Sequence, residues 1–171
     1  QIKTDADLAA VRDLPEYSLE LAKWEAHFAE LQKKYEAELA DKAREDLKKG
    51  QPFPFDFDLV DTEGNPLRKA DLADRVAIVD IWGTWCPPCR QEIPSFVKLQ
   101  DAYGRYGFKM VGLNQERGPS EEANLKTVKE FKANASINYP CALVTEEIIA
   151  QLPELKGYPT TLFIDHKGNV R

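Results

Sequence analysis

Apolar side chains recur at helical spacing through the first part of the chain. From Leu14 to Tyr35 they fall at alternating steps of three and four residues, and steps of four continue to Leu47. Such a stripe is typical of one long amphipathic helix, because residues three and four apart share a helix face. Asp13 supplies a start signal and Gly50 a stop signal, so we predict a helix between them.

The stripe must be covered by other apolar surface. One interpretation is that it packs against the globular part of the same chain. The other is that the helix docks a partner or pairs with a second copy, since large exposed apolar faces mark interaction sites. The sequence alone leaves both interpretations open.

Strand patterns replace the helical stripe after residue 52. Apolar and acidic residues alternate over 55–59, which predicts a half-buried strand. The run 76–81 is apolar except for Asp80, which predicts a central strand buried on both faces.

Helices and strands alternate through the rest of the chain. We expect a short return with a helical turn at 67–73, helices at 86–106 and about 120–133, strands at 108–113, 141–144 and 160–165, and a brief helix from 145. Strands that alternate with helices favour an α/β fold, in which a mixed central sheet has helices on both faces. We therefore predict a helical extension at 1–50 and a sheet domain at 51–171.

Composition and charge exclude several classes of protein. With 43% hydrophobic and 30% charged residues, this chain of 171 residues is typical of a soluble globular protein. A formal net charge of −6 argues against binding to nucleic acid or to an anionic membrane surface. No apolar run reaches the roughly 20 residues of a membrane span. Because the chain begins at Gln1, we expect that a targeting segment was removed or that a boundary was chosen there.

Candidate chemistry is concentrated at 82–90, in the segment Trp-Gly-Thr-Trp-Cys-Pro-Pro-Cys-Arg. Haem attachment needs a histidine directly after the second cysteine, where Arg90 stands. A structural zinc site needs four ligands, commonly supplied as two pairs. The other residues that could bind zinc are Cys141, His27 and His166. None of them is paired with another at the spacing of a metal site. We therefore expect neither haem nor a metal here.

A reversible dithiol suits the same residues. A cysteine at the first turn of a helix faces unpaired N–H groups and the positive end of the helix dipole, which favour the reactive thiolate. We place Cys86 there as the attacking sulfur. Cys89 lies three residues on, on the same helix face, near enough to close a disulfide. Pro87 and Pro88 fix φ and lack N–H groups, which stiffens the turn.

Asp80 is the candidate proton acceptor. A lone carboxylate within a buried strand is costly when ionised, so its pKa should rise. The alternative is an aspartate at a strand end that points to water. Its place just before the cysteine pair favours proton transfer, in which Asp80 accepts the proton of Cys89, directly or through a water.

These residues together resemble the thioredoxin superfamily, and within it the extracytoplasmic TlpA-like or ResA-like thiol–disulfide oxidoreductases. The resemblance covers the sheet domain and excludes the helical extension. Trp85 and the cysteines that follow look like the active-site motif, Asp80 looks like thioredoxin's buried acid, and Pro94 looks like the kink in the active-site helix. The segment 157–161, Gly-Tyr-Pro-Thr-Thr, resembles the family's cis-proline segment, with Pro159 as the cis residue.

The resemblance implies a thioredoxin-like fold and a thiol–disulfide oxidoreductase without a bound cofactor. Protein disulfides would be its substrates, and an upstream thiol electron donor would regenerate it. The location implied is the periplasm or another extracytoplasmic compartment, with an anchor supplied by a removed N-terminal segment. The residues expected to contact substrate are Trp85, Pro87, Pro88, Tyr158 and Pro159.

The chain departs from the family pattern at several positions. Many TlpA-like members carry an amide at the position of Asp80. Members that act in cytochrome c maturation often have an acid between the cysteines, where Pro87 stands. Peroxidase relatives need threonine at the position of Gly83, so we reject peroxidase chemistry. The superfamily's final strand and helix would lie beyond Arg171.

Two other functions stay open at this point. One is a redox-inert thioredoxin fold that docks a partner through the helical extension, and the other is a disulfide isomerase. Among the remaining residues, we expect Cys141 to be a small buried hydrophobe and Glu92 to lie on a solvated helix face. Trp82 and Trp85 are expected to shield the disulfide.

Overall fold

The computed structural model describes residues 6, 9–12, 14–49, 52–153 and 155–171. Contacts between its residues divide the chain into two compact units, Gln1–Gly50 and Gln51–Arg171. The helix signals predicted at Asp13 and Gly50 lie outside the described residues. Within the described ranges, no helix has both the length and the apolar character needed to cross a bilayer.

The described part of the N-terminal unit is helical, with a short helix α1 (Ala9–Arg12) and a 35-residue helix α2 (Pro15–Lys49). The predicted apolar stripe lies along α2, where Trp24 is 57%, Phe28 60% and Tyr35 61% exposed. The rings of Trp24 and Phe28, one helical turn apart, have centroids 5.9 Å apart. Within the N-terminal unit, the apolar stripe of α2 is therefore exposed to solvent.

The C-terminal unit is a mixed sheet flanked by helices. In chain order its elements are β1 (Asp58–Val60), β2 (Pro66–Arg68), a 3₁₀ turn (Lys69–Leu72), β3 (Val76–Trp82), α3 (Pro87–Tyr103), a second 3₁₀ turn (Gly104–Tyr106), β4 (Phe108–Asn114), α4 (Glu121–Asn134), β5 (Cys141–Leu143), α5 (Glu146–Ile149) and β6 (Thr160–Ile164). The four-stranded sheet has the order β5-β4-β3-β6, in which β6 alone is antiparallel. β1 and β2 form a separate antiparallel hairpin. The predicted α/β fold class is confirmed.

The central strand β3 separates two apolar clusters, because successive strand residues point to opposite faces of the sheet. Val79 and Ile81 belong to the cluster on one face. Ile78 and Trp82 belong to the cluster on the other face, which also contains residues of α3. The same alternation places Asp80 on the face of Ile78 and Trp82, the face that α3 covers.

The prediction of a strand at 55–59 is mostly wrong. β1 begins only at Asp58, although Phe55 and Phe57 are buried as the alternation predicts. The N–H of Asp56 donates to Gln151 Oε1 at 2.7 Å, and the N–H of Phe57 donates to Asp56 Oδ1 at 2.9 Å. Because side chains accept these N–H groups, the segment buries its aromatic rings without joining a sheet.

Candidate active site

The cysteine motif occupies the turn between β3 and α3. The N–H of Cys86 donates to Gly83 O at 3.1 Å, which closes a turn directly after β3. Cys86 is the N-cap of α3, and Pro87 and Pro88 open the helix. Proline suits these positions because the first N–H groups of a helix have no partner within it. Cys86 thus lies at a helix start.

Cys86 and Cys89 form a disulfide. Their sulfurs are 2.08 Å apart and their Cα atoms 5.4 Å apart. The N–H of Cys89 donates to Cys86 Sγ at 3.3 Å. An anionic sulfur would gain more from this donor and from the helix dipole than a neutral one. The geometry therefore favours a thiolate at Cys86 once the bond is reduced.

Two aromatic rings pack against the cluster that contains the disulfide. Cys86 is only 2% exposed and Cys89 is fully buried. Trp85 and Tyr158 pack against the cluster that contains both cysteines, and their own ring centroids are 5.2 Å apart in an edge contact. A substrate that reaches the sulfur of Cys86 would therefore meet these two partly buried rings.

The Trp85 indole is held from several sides. Its Nε1 donates to Gln115 O at 2.9 Å, and the guanidinium carbon of Arg117 lies 3.2 Å from the ring centroid. Gly83 leaves room for the ring, since a Cβ at that position would lie 2.5 Å from Trp85 Nε1. The orientation of Trp85 therefore depends on glycine at position 83.

Asp80 is buried in β3, with 2% of its surface exposed, whereas the alternative interpretation placed it in water. Thr161 Oγ1 donates to Asp80 Oδ1 at 3.1 Å. Burial raises the pKa of Asp80 to about 7; the hydrogen bond from Thr161 opposes this rise and the negative charge of Glu92 adds to it. A carboxyl group with a pKa near neutrality both accepts and releases protons at neutral pH.

Glu92 is half-buried on α3, so it is less solvated than the sequence predicts. Burial raises the pKa of Glu92 as well as that of Asp80. Two carboxyl groups that act on each other disfavour simultaneous ionisation. Glu92 thus helps Asp80 to keep its proton at neutral pH.

The segment 157–161 lies at the end of the sheet where the cysteine motif begins. The peptide bond between Tyr158 and Pro159 is cis. Thr160 pairs with Ile81 near the end of β3, where the cysteine motif begins. The topology therefore brings Tyr158 and Pro159 to the motif, and both are half-buried. Pro87 and Pro88 are exposed.

The third cysteine and the two histidines are not part of the cysteine motif. Cys141 is buried in β5, and burial raises the pKa of its thiol to about 12. Such a thiol behaves as a small hydrophobe. His27 lies on α2, and His166 follows β6 in a turn. Within the described ranges, no group of three or more His, Cys, Asp or Glu side chains is placed to hold a metal.

Sequence reasoning missed three residues of the site. Thr161 is the partner of Asp80 in the pairing of β3 with β6, so the strand register is the signal that could have identified it. Glu116 accepts a hydrogen bond from Thr84 Oγ1 at 2.8 Å, and Arg117 stacks on the Trp85 ring. No local pattern indicates these two residues, because they come from the loop between β4 and α4.

Comparisons with known proteins agree with this geometry. The model of the AhpC/TSA family matches residues 49–171. The thiol-disulfide oxidoreductase ResA of Bacillus subtilis (strain 168) is 30% identical over 127 residues, which are 74% of this chain and 67% of ResA. The thioredoxin-like protein YneN of the same strain is 31% identical over 125 residues, which are 73% of this chain and 70% of YneN.

Among solved structures, a thiol:disulfide interchange protein of the thioredoxin family from Chlorobium tepidum TLS is similar, with a TM-score of 0.62 and 34% identity. The match covers 71% of this chain and 84% of that one. Fold and site thus define a thioredoxin-fold thiol–disulfide oxidoreductase. The chain belongs to the AhpC/TSA family, and the predicted similarity to ResA-like oxidoreductases is confirmed.

Proposed function

We propose that the protein reduces disulfide bonds of other proteins outside the cytoplasm. One observation carries the proposal: the Cys86–Cys89 disulfide begins a helix that covers a buried carboxyl group with a pKa of about 7. The reduced protein would supply two electrons, and the substrate disulfide would become two thiols. The similarity to ResA supports thiol–disulfide exchange, and reduction is the direction proposed here, which the reduction potential of the Cys86–Cys89 pair relative to its compartment would decide.

The first step joins the protein to its substrate. The Cys86 thiolate attacks one sulfur of the substrate disulfide and forms a mixed disulfide. The other substrate sulfur leaves as a thiolate and takes a proton from water. The N–H groups at the start of α3 favour this step, because they stabilise the attacking anion.

The second step releases the substrate. Cys89 gives its proton to Asp80, and its thiolate attacks Cys86 Sγ. The Cys86–Cys89 bond forms, and the second substrate sulfur leaves as a thiolate that recovers the proton from Asp80. Asp80 suits this exchange because a group with a pKa near the working pH transfers protons in both directions.

The substrate surface proposed here surrounds the motif. Its members are Trp85, Pro87, Pro88, Tyr158 and Pro159. The main chain beside Pro159 would hydrogen-bond an extended substrate segment, as in the addition of a strand to a sheet edge. An upstream thiol protein would then return two electrons to the Cys86–Cys89 bond through the same surface.

Reduction of insulin disulfides in the presence of a dithiol tests this function. We expect activity in the native protein, none in Cys86→Ser, and a trapped mixed disulfide in Cys89→Ser. Cys141→Ala is the matched control, which removes a thiol without burying a hydroxyl, and should keep activity because Cys141 lies in β5 and is not one of the two exchanging sulfurs. Full activity in Cys86→Ser would refute the proposal. A graded glutathione series without a reversible two-electron transition would point to a redox-inert module, and efficient refolding of scrambled disulfides would point to an isomerase.

We also propose that α2 pairs with a second copy of this chain. Its exposed stripe has the spacing of helix-to-helix contacts, and a second copy supplies a stripe of identical length. Phe28→Glu should shift the sedimentation of the protein to that of a monomer. Ala26→Glu adds the same charge on the opposite face of α2 and should not change it. Monomeric native protein would contradict this pairing.

A further inference from the structure

Arg117 belongs to a loop that is ordered on both sides of it. Before it, the N–H of Gln115 donates to Trp82 O at 2.8 Å, which continues the β3–β4 pairing. After it, the N–H of Gly118 donates to Asn124 Oδ1 at 2.7 Å. The backbone of Arg117 is therefore held in place before any substrate arrives, which lowers the entropy cost of a contact made by its side chain.

The guanidinium of Arg117 lies beside the two rings that pack against the disulfide cluster. Its carbon is 3.2 Å from the centroid of the Trp85 ring. Its charge also reaches Tyr158, where it opposes the rise in pKa that burial causes. Trp85 directly precedes Cys86, so this cation lies beside the cysteine motif.

Among the residues that the structure describes, none accepts a hydrogen bond from the guanidinium of Arg117. Stacking on Trp85 occupies one face of the guanidinium plane and leaves the N–H donors in the plane free. The side chain is exposed, and among the described residues it forms no ion pair. The neighbouring carboxylate, Glu116, accepts hydrogen bonds from Thr84 Oγ1 at 2.8 Å and from the Thr84 N–H at 3.3 Å.

We infer that Arg117 is a specificity-determining residue, which binds a substrate carboxylate close to the disulfide that is reduced. The inference rests on the proposed function and adds a class of substrate to it. A guanidinium that stacks on an indole is well oriented for a planar, bidentate contact with a carboxylate. The chain has a net charge of −6, so an acidic substrate gains no general attraction and depends on cations near the motif, of which Arg117 is the one that stacks on Trp85.

The test compares peptides that contain one disulfide and differ at one flanking residue: Glu, Gln or Lys. Native protein, Arg117→Met, Arg117→Glu and Arg105→Met are assayed for kcat/KM at low salt. Arg105→Met is the matched control, since Arg105 also stacks on an aromatic ring, at 4.6 Å from the centroid of Tyr106, and gives the same change in net charge. Arg105 lies in the 3₁₀ turn after α3.

We expect native protein and Arg105→Met to favour the Glu peptide over the Gln peptide by about 3-fold, the range of one exposed ion pair. Arg117→Met should lose this preference, and Arg117→Glu should favour the Lys peptide instead. High salt should remove all of these preferences, because it screens exposed charges. A role confined to holding Trp85 would lower kcat/KM for all peptides alike.

Equal Glu-to-Gln ratios in native protein and Arg117→Met would overturn the inference, provided that the Gln peptide is reduced by both. A native protein that fails to reduce the Gln peptide would instead count against the proposed function. The Gln peptide also reports whether Arg117→Met is folded and active. If Arg117→Met does not reduce the Gln peptide, Arg117→Glu decides the test: a preference for the Lys peptide supports the inference, and equal rates for the Lys and Gln peptides overturn it.

Discussion

Replacement of Asp80 by asparagine should make the protein more stable, by an amount that depends on pH. In the unfolded chain the carboxyl group ionises above its ordinary pKa of 3.8, whereas burial holds it protonated up to about pH 7 in the folded protein. The folded state therefore binds the proton more tightly. The stability that this provides is complete below pH 3.8 and is lost as the pH rises through about 7.

The magnitude follows from the two pKa values. They differ by about 3 pH units, and each unit corresponds to about 1.4 kcal/mol, so the native protein loses about 4 kcal/mol across the full range. Between about pH 4.5 and pH 8.5 the loss is about 3 kcal/mol. Asp80→Asn keeps the shape of the side chain but has no charge to bury. It should therefore gain about 3 kcal/mol of unfolding free energy over the native protein between these two pH values.

Urea denaturation of both oxidised proteins at the two pH values measures this difference. Asp71→Asn is a control, because Arg68 holds the pKa of the exposed Asp71 below its ordinary value and its removal should give no gain at high pH. A pH-dependent gain below about 1 kcal/mol in Asp80→Asn would refute the assignment of a buried, neutral carboxyl group at this position.

Three further variants or measurements test the packing and electrostatics of the site. Gly112→Ala should cost about 1–3 kcal/mol of unfolding free energy in urea, because its Cβ would lie 2.8 Å from Trp82 Nε1 and 2.9 Å from Cys141 Sγ. Cys141 should resist iodoacetamide at about pH 8 until the protein unfolds, since burial raises its pKa to about 12. Thr161→Val removes the donor to Asp80 and should raise the pKa of Asp80 further, as followed by NMR of its carboxyl carbon.

The sequence predicted best the elements whose reactive residues also determine the local backbone structure, namely β3 and the start of α3. The apolar run around Asp80 predicted β3 because a strand buried on both faces has no polar alternation. The cysteine and proline residues predicted the start of α3 because helix starts tolerate residues without an N–H. Both predictions concern neighbours along the chain.

Contacts between distant segments could not be predicted in the same way. The alternation at 55–59 showed which side chains are buried, but it could not show that Gln151 accepts the N–H of Asp56. Arg117 stacks on Trp85 because β4 lies beside β3 and delivers its loop to the motif. A single sequence contains no periodic signal for such a contact, so this part of the site became visible only in the folded chain.

The sulfur of Cys86 caps α3 while it is bonded to Cys89. A helix whose first turn already has its acceptor needs little rearrangement when the bond between the sulfurs opens. The oxidised and reduced forms would then present almost the same surface shape to partner proteins and differ mainly in the negative charge of the Cys86 thiolate. The upstream thiol donor and the substrate proteins would therefore distinguish the two forms by the charge at Cys86 rather than by the shape of the surface.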